Sequence, residues 1–446
     1  MKKYIVYISV FLILAFSVLL YFKIATDDSK VIKVRVWSAD GQNKILMTKK
    51  VDEFNETIGK EKGIKIEYRV IRDGIDNLVK KAAKRGDIPE IFGGGGTAYE
   101  KLLAEGKIIP INALPGGNEF LRRKAPESIV PLSEDGKERN VYSFLVRKNT
   151  GRLIYNKDLF RKAGIVDKDG EPTPPETWEE FITYAKRIRD YDSSKFGVAF
   201  PFGEPQLMNY SLLCAVQESL DYEYELDYET QTARDINVET VVDIMRRIKK
   251  DGSCFPGAHT LNNDTLRHQF AQGNIGMFLA ISWDVGVLTE QFPAKCDWGV
   301  VPYPTLKKGE RYNVKNFVGG SMSIGVSSLE TEAKAEAVME VFKWLYSDEM
   351  LLDHFESEQW ILIDENISKK ADKSKMSEQW LEFCKPPEVT AEKKGASYFS
   401  SSISNALFAK AWSGKISFDD VIAEANKNAT KAFRTALQDG LISSEK

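Results

Sequence analysis

Two aromatic–acidic pairs follow strand-like runs: Trp37 with Asp40 after Val31–Trp37, and Trp283 with Asp284 after Ile275–Ile281. An indole face stacks on the C–H face of a sugar ring, and a carboxylate accepts hydrogen bonds from neighbouring hydroxyls. These pairs suit recognition of a small polar solute. A tryptophan at a strand end also serves as core packing, so both readings stay open for Trp37 and Trp283. Asp40 is the firmer contact, because a short carboxylate there is costly unless solvated or bonded. Gly93 to Gly96 follow a third run, Ile88–Phe92, and their bare backbone, Gly94 and Gly95 above all, can approach a ligand closely. No Gly-Lys-Ser/Thr follows, so this is not a phosphate loop. Trp360 and Tyr398 are further aromatic candidates, and Trp412 is expected to pack against the last helix.

Other chemistries find little support. The three histidines, His259, His268 and His354, have no metal-ligand spacing with one another or with a cysteine, so neither metal nor cofactor is expected. Cys214, Cys254, Cys296 and Cys384 lack C-x-x-C spacing; they fit either disulfides of an exported chain or small buried apolar residues. A retaining glycosidase needs two carboxylates about 5 Å apart, and no local motif presents such a pair. With 62 basic and 65 acidic residues the net charge is −3, too weak a field to hold a nucleic-acid backbone.

The elements that must position these residues are α/β in pattern. Ile32, Val34 and Val36 alternate on one strand face, a helix follows through Ile45 to Phe54, and Ile64, Ile66, Tyr68 and Val70 form a second strand. A helix from Ile75 to Lys84 completes a β-α-β-α order, which implies a parallel sheet covered by helices. After Pro174 and Pro175, Thr177-Trp-Glu-Glu180 forms a capping box. Behind it Trp178, Phe181, Ile182, Ala185 and Ile188 share one helical face. Helical stripes also run through Val238–Lys249, Leu266–Phe270, Val338–Leu345 and Phe418–Leu437. At 446 residues, 43% hydrophobic and 28% charged, the chain suits two globular lobes joined by short crossings.

At the N-terminus, Lys2 and Lys3 precede an apolar run from Tyr4 to Phe22, closed by Lys23. That order is an export signal, and the run is also long enough to span a bilayer. No cleavage motif stands out, so residues 1–30 are expected to be a signal-anchor rather than a cleaved peptide, with the body facing outward. Cleavage would leave the body secreted or periplasmic. No cysteine stands there to carry a lipid thioether anchor.

Several local patterns resemble, in order, the extracellular solute-binding proteins of family one, the group containing maltose-binding protein. They are Leu153-Ile-Tyr-Asn-Lys-Asp-Leu-Phe160 with Arg161-Lys-Ala-Gly164, then Thr177-Trp-Glu-Glu-Phe181, and Phe270-Ala-Gln-Gly-Asn-Ile-Gly-Met277 with Ser282-Trp283. Asp297-Trp-Gly-Val-Val-Pro-Tyr-Pro304, Phe317-Val-Gly-Gly320 and Phe342-Lys-Trp-Leu-Tyr-Ser347 continue the series. The resemblance implies a type II periplasmic-binding fold: two lobes, each a doubly wound sheet, with about three hinge crossings. One lobe is expected to take residues 31–143 and 311–348, the other 144–310 and 349–446. Ligands then bind beyond the carboxyl ends of the strands. The resemblance adds Glu204, with Tyr210 nearby, and Gly319 and Gly320 to the candidate contacts. Maltose-type members carry an aromatic near the Gly93–Gly96 position, where this chain has none. The implied function is capture of a carbohydrate by hinge closure, as a monomer, for permease subunits of an ABC importer. A sensor feeding a membrane kinase and a binder of polyamines or another non-sugar solute are the alternatives carried beside it.

Overall fold

The computed structural model of the protein describes residues 31–71, 74–94, 96–124, 140–204, 212–220, 223–310, 317–386, 405–439 and 442. The apolar run from Tyr4 to Phe22 lies outside them. Among the described residues no helix is long and apolar enough to cross a membrane. The chain divides into two compact units: 1–147 with 319–354 and 362–370, and 148–318 with 355–361 and 371–446.

In the first unit the alternating runs become strands because each buries one face. Val34 and Val36 are fully buried on Ile32–Ser38, as are Ile64 and Ile66 on Ile64–Val70. These strands pair in parallel, and Ile91–Phe92 joins the other side of Ile32–Ser38, also in parallel. The helices Lys44–Glu56 and Ile75–Lys84 supply the crossovers. The sheet is completed by Ser323–Gly325, a segment returning from far along the chain, which runs antiparallel between Ile91–Phe92 and Ile108–Ile109. A buried carboxylate ties this assembly together. Glu90, 1% exposed, accepts from Arg35 Nε at 3.1 Å and Nη2 at 2.8 Å, and Lys334 Nζ lies 3.3 Å away. Burial alone would raise the Glu90 pKa, but its bonds to Arg35 outweigh burial and hold it below the usual carboxylate range.

The second unit has a sheet in the order Trp298–Val301, Gly151–Asn156, Ile275–Ile281, Phe196–Val198. All six residues of Gly151–Asn156 are buried, and this strand runs antiparallel to both neighbours, whereas Ile275–Ile281 and Phe196–Val198 are parallel. Both sheets are thus mixed. The helix Trp178–Tyr191 begins at a complete capping box, in which Thr177 accepts from the Glu180 backbone and Glu180 reaches back to Thr177. Its five-residue apolar stripe is buried in the main core, alongside Val241, Met245 and Phe408. Trp412 packs against Phe200 and Phe202 beside residues of the terminal helix Phe418–Gln438. A further three-stranded sheet has the order Phe317–Gly320, Leu145–Asn149, Ile361–Leu362. All four cysteines are free thiols, with Cys214 and Cys254 buried.

Thr177→Ala removes one half of the capping box and should cost about 1 kcal/mol of stability. Urea unfolding of the variant beside the parent chain checks this, with the midpoint lowered and the slope unchanged.

Candidate functional site

The parallel strands of the first unit bring their carboxyl ends to one edge, since Trp37 lies in register with both Arg69 and Phe92. Trp37 is half-buried there. One part of it packs on the cluster containing Ile71, Val79 and Phe92, and the Arg69 guanidinium stands 5.6 Å from its ring centroid. Trp37 therefore serves in part as core packing, and the rest of its surface stays open. Tyr99 and Tyr142 pack on the same cluster, each half-buried. Burial raises the Tyr99 phenol pKa and nearby Tyr142 raises it further. Tyr99 comes from the helix Gly96–Ala104, which follows the glycine run, and Tyr142 from a segment later in the chain. Neither carries a local sequence signal.

The glycines lie against this edge. Gly93 donates its N–H to the Trp37 carbonyl at 2.8 Å, and a Cβ on it would stand 3.3 Å from the Ala39 nitrogen. Gly94 is exposed, with φ +139°, and a Cβ would meet Asp76 Oδ1 at 2.7 Å. Gly95 lies outside the described residues.

Asp40 is committed elsewhere. Arg147 Nη1 donates to Asp40 Oδ2 at 2.6 Å and Nη2 to Oδ1 at 3.0 Å, so both carboxylate oxygens are held in one fork. Burial pushes the Asp40 pKa up, but the charge and bonds of Arg147 outweigh it, and the net shift is downward. Gly319 makes room for this arginine, because a Cβ there would stand 2.7 Å from Arg147 Nε. A Cβ on Gly320 would stand 2.5 Å from Ser143 Oγ. His354 is buried near the same pair; desolvation and then the Arg147 charge push its pKa down to about 3, so the imidazole is neutral at pH 7.

The second unit repeats the arrangement with other residues. The buried strand Ile275–Ile281 leads through Ser282 to Trp283, which is half-buried, and Asp284, which is buried. Asp284 Oδ2 accepts from the Ile281 N–H at 2.8 Å and Oδ1 from Arg267 Nε at 2.7 Å. Its carboxylate therefore closes the strand end and binds an arginine. Glu204 is half-buried and accepts from Asn263 Nδ2 at 2.8 Å through Oε2. Trp360 is 8% exposed and belongs to the interior of this unit. Tyr210 and Tyr398 lie outside the described residues.

Each rim therefore offers a half-buried tryptophan beside a carboxylate already satisfied by arginine. Such a surface stacks on apolar ring faces and bonds hydroxyls through backbone groups and the outer polar side chains. Among the described residues no three His, Cys, Asp or Glu side chains are grouped to hold a metal ion.

Residues 49–361 match the family described as bacterial extracellular solute-binding protein. A putative binding protein of Brucella abortus is 24% identical over 197 residues, 44% of each chain. The sn-glycerol-3-phosphate-binding periplasmic protein UgpB of Pectobacterium atrosepticum is 26% identical over 219 residues, 48% of this chain and 46% of that one. The aligned stretch spans less than half the length of these curated relatives. Among solved structures, the GacH receptor of Streptomyces glaucescens, studied unliganded and with acarbose, is 17% identical. It aligns over 92% of this chain and 99% of its own, with a TM-score of 0.62. A solute-binding protein of Thermotoga lettingae bound with α-D-tagatose is 16% identical, over 91% and 100%, with a TM-score of 0.63. These are similarities of fold: the chain takes the two-lobed α/β fold of periplasmic binding proteins.

Two measurements check the electrostatics. Asp40→Asn strips the Arg147 guanidinium of its charge partner. With 17% and 20% of the two side chains exposed, the loss should be about 2 kcal/mol, below that of a fully buried pair. His354 makes stability depend on pH. The unfolded chain takes up its proton near the ordinary value of about 6.5, while the native site resists it until about pH 3. Its contribution is whole above about 6.5 and falls as pH drops, by about 2 kcal/mol at pH 5. Urea unfolding at pH 7 and pH 5 should show that loss in the parent chain and its abolition in His354→Gln.

Proposed function

We propose that this chain, which belongs to the bacterial extracellular solute-binding protein family, captures a carbohydrate, a mono- or oligosaccharide, outside the cytoplasm for an ABC-type permease. The observation that carries this reading is the edge where Trp37, Tyr99 and Tyr142 gather beside the exposed backbone of Gly94, with Trp283 at the strand end of the other unit. Aromatic faces match the C–H faces of sugar rings, and backbone donors without side chains match their hydroxyls. Similar chains crystallised with α-D-tagatose and with maltotriose support the class of solute. The paired carboxylates count against polyamines, since Asp40 and Asp284 already neutralise arginines and have no charge left for an ammonium. Trp37, Trp283, Glu204, Gly94, Gly319 and Gly320 are the proposed contacts or contact-shaping positions, with Tyr99 and Tyr142 added. Asp40 and Asp284 are proposed to act through the arginines they hold. Binding shifts the population toward whichever arrangement of the units gives the solute more contacts. Export is assigned to the charged and apolar N-terminal run, kept as an anchor.

A phosphorylated polyol is the second reading. It is favoured by the exposed Arg69 guanidinium over the Trp37 ring and by relatives named for binding sn-glycerol 3-phosphate.

Thermal-shift screening of sugars, sn-glycerol 3-phosphate and spermidine tests both readings. A cognate solute at a hundred times its Kd adds about 2.7 kcal/mol to stability. The expected result is a shift with a carbohydrate that Trp283→Ala abolishes while leaving the unliganded melt in place. A shift with glycerol 3-phosphate alone would select the second reading, and one with spermidine alone would overturn both.

A further inference from the structure

The second unit also carries a groove of about 630 Å³ between the strand Thr232–Asp235 and the terminal helix Phe418–Gln438. The helix fastens itself along the free edge of the strand by side chains spaced four apart. Asn426 accepts from the Asp235 N–H at 2.8 Å. Thr430 accepts from the Ala233 N–H at 3.0 Å and donates to the Ala233 carbonyl at 3.2 Å, and Arg434 Nε donates to the Gln231 carbonyl at 2.9 Å. This ladder fixes the floor of the groove and covers a strand edge that would otherwise be open to pairing.

What stands above that floor is uniform in chemistry. Among the described residues the lining holds Arg234, Lys427, Lys431 and Arg434, with the hydroxyls of Thr232 and Thr435, the side-chain amide of Gln438 and no carboxylate. The chain as a whole has slightly more acidic than basic residues, so this lining departs from its background. Two of the cations are compensated at the groove's margin: Arg234 by Glu225 and Glu239, and Lys427 by Glu424 at 3.2 Å. For the other two, no carboxylate partner stands among the described residues. Arg434 donates Nε to the Gln231 carbonyl at 2.9 Å, which orients its guanidinium, and Lys431 lies one turn back. Arginine forks, lysines and hydroxyl or amide donors are the set that binds phosphate oxygens.

We propose that this groove binds an extended phosphate-bearing polyanion, with Lys431 and Arg434 as its principal charged contacts. Length argues for an extended ligand. From Asn426 to Gln438 the helix rises roughly 18 Å, and the step from Lys427 to Lys431 is about 6 Å, which suits anions repeated along a strand. The site does not depend on the solute-capture reading and is expected to work whether or not solute is bound.

The test is fluorescence anisotropy of labelled inorganic polyphosphate titrated with the full chain at 50 mM and 200 mM salt, beside flotation on phosphatidylglycerol vesicles. The expected result is saturable polyphosphate binding, weakened at least about tenfold at the higher salt as counterion release requires. Lys431→Gln should weaken it about fivefold, and Lys431→Gln with Arg434→Gln should remove it, at unchanged thermal melts. Lys250→Gln, exposed and outside the groove, should leave it intact. Absence of saturable binding at 50 mM salt, binding that the double variant retains, or binding to vesicles but not to polyphosphate would each overturn the proposal.

Discussion

Each unit depends on satisfying polar groups where the carboxyl ends of its strands meet solvent. In the first unit that task falls to the ion pair of Asp40 and Arg147. It joins the loop after the first strand to a segment 107 residues later, and Gly319, later still, makes room for the arginine. A unit assembled from three separate stretches of chain needs such links, because apolar packing alone does not specify which stretch lies beside which. Glu90 does the same service within the sheet, drawing together Arg35 and Lys334. Both carboxylates are held ionised against burial by the cations they gather.

The second unit solves the same problem differently. Asp284 takes the Ile281 N–H and the Arg267 guanidinium, so the residue after Trp283 anchors the strand end from which that tryptophan projects. In both units the carboxylate positions and the half-buried aromatic offers a surface. That division of labour leaves half-buried aromatic surface and arginine-paired carboxylates, rather than free negative charge, at both strand ends.

The sequence carried the secondary structure well because its signals are local. The T-x-x-E box, the apolar stripe of Trp178–Tyr191, and the alternation in Ile32–Ser38 and Ile64–Val70 each lie within one helix or one strand, and the apolar positions of stripe and strands are buried where their period requires. The ordered family patterns likewise pointed to the fold that the similarity to known structures shows. Of the candidate contacts, Trp37, Trp283, Gly94 and Glu204 stand at strand ends or loops, whereas Trp360 turns inward. Trp360 follows a helix end, and a sequence position after a helix does not say which way an indole points.

Composition, periodicity and motif order by themselves determined an α/β chain of two units with a near-neutral charge, since those properties are written in the types and spacing of neighbouring residues. Tertiary structure alone decided that Asp40 faces Arg147, that Tyr99 and Tyr142 join Trp37, and that Ser323–Gly325 enters the first sheet antiparallel. It also decided that Asn426, Thr430 and Arg434 zip the edge of Thr232–Asp235 and leave a basic groove beside it. These are meetings of residues tens to hundreds of positions apart. They are settled by which surfaces can be buried together, and no window along the chain contains both partners.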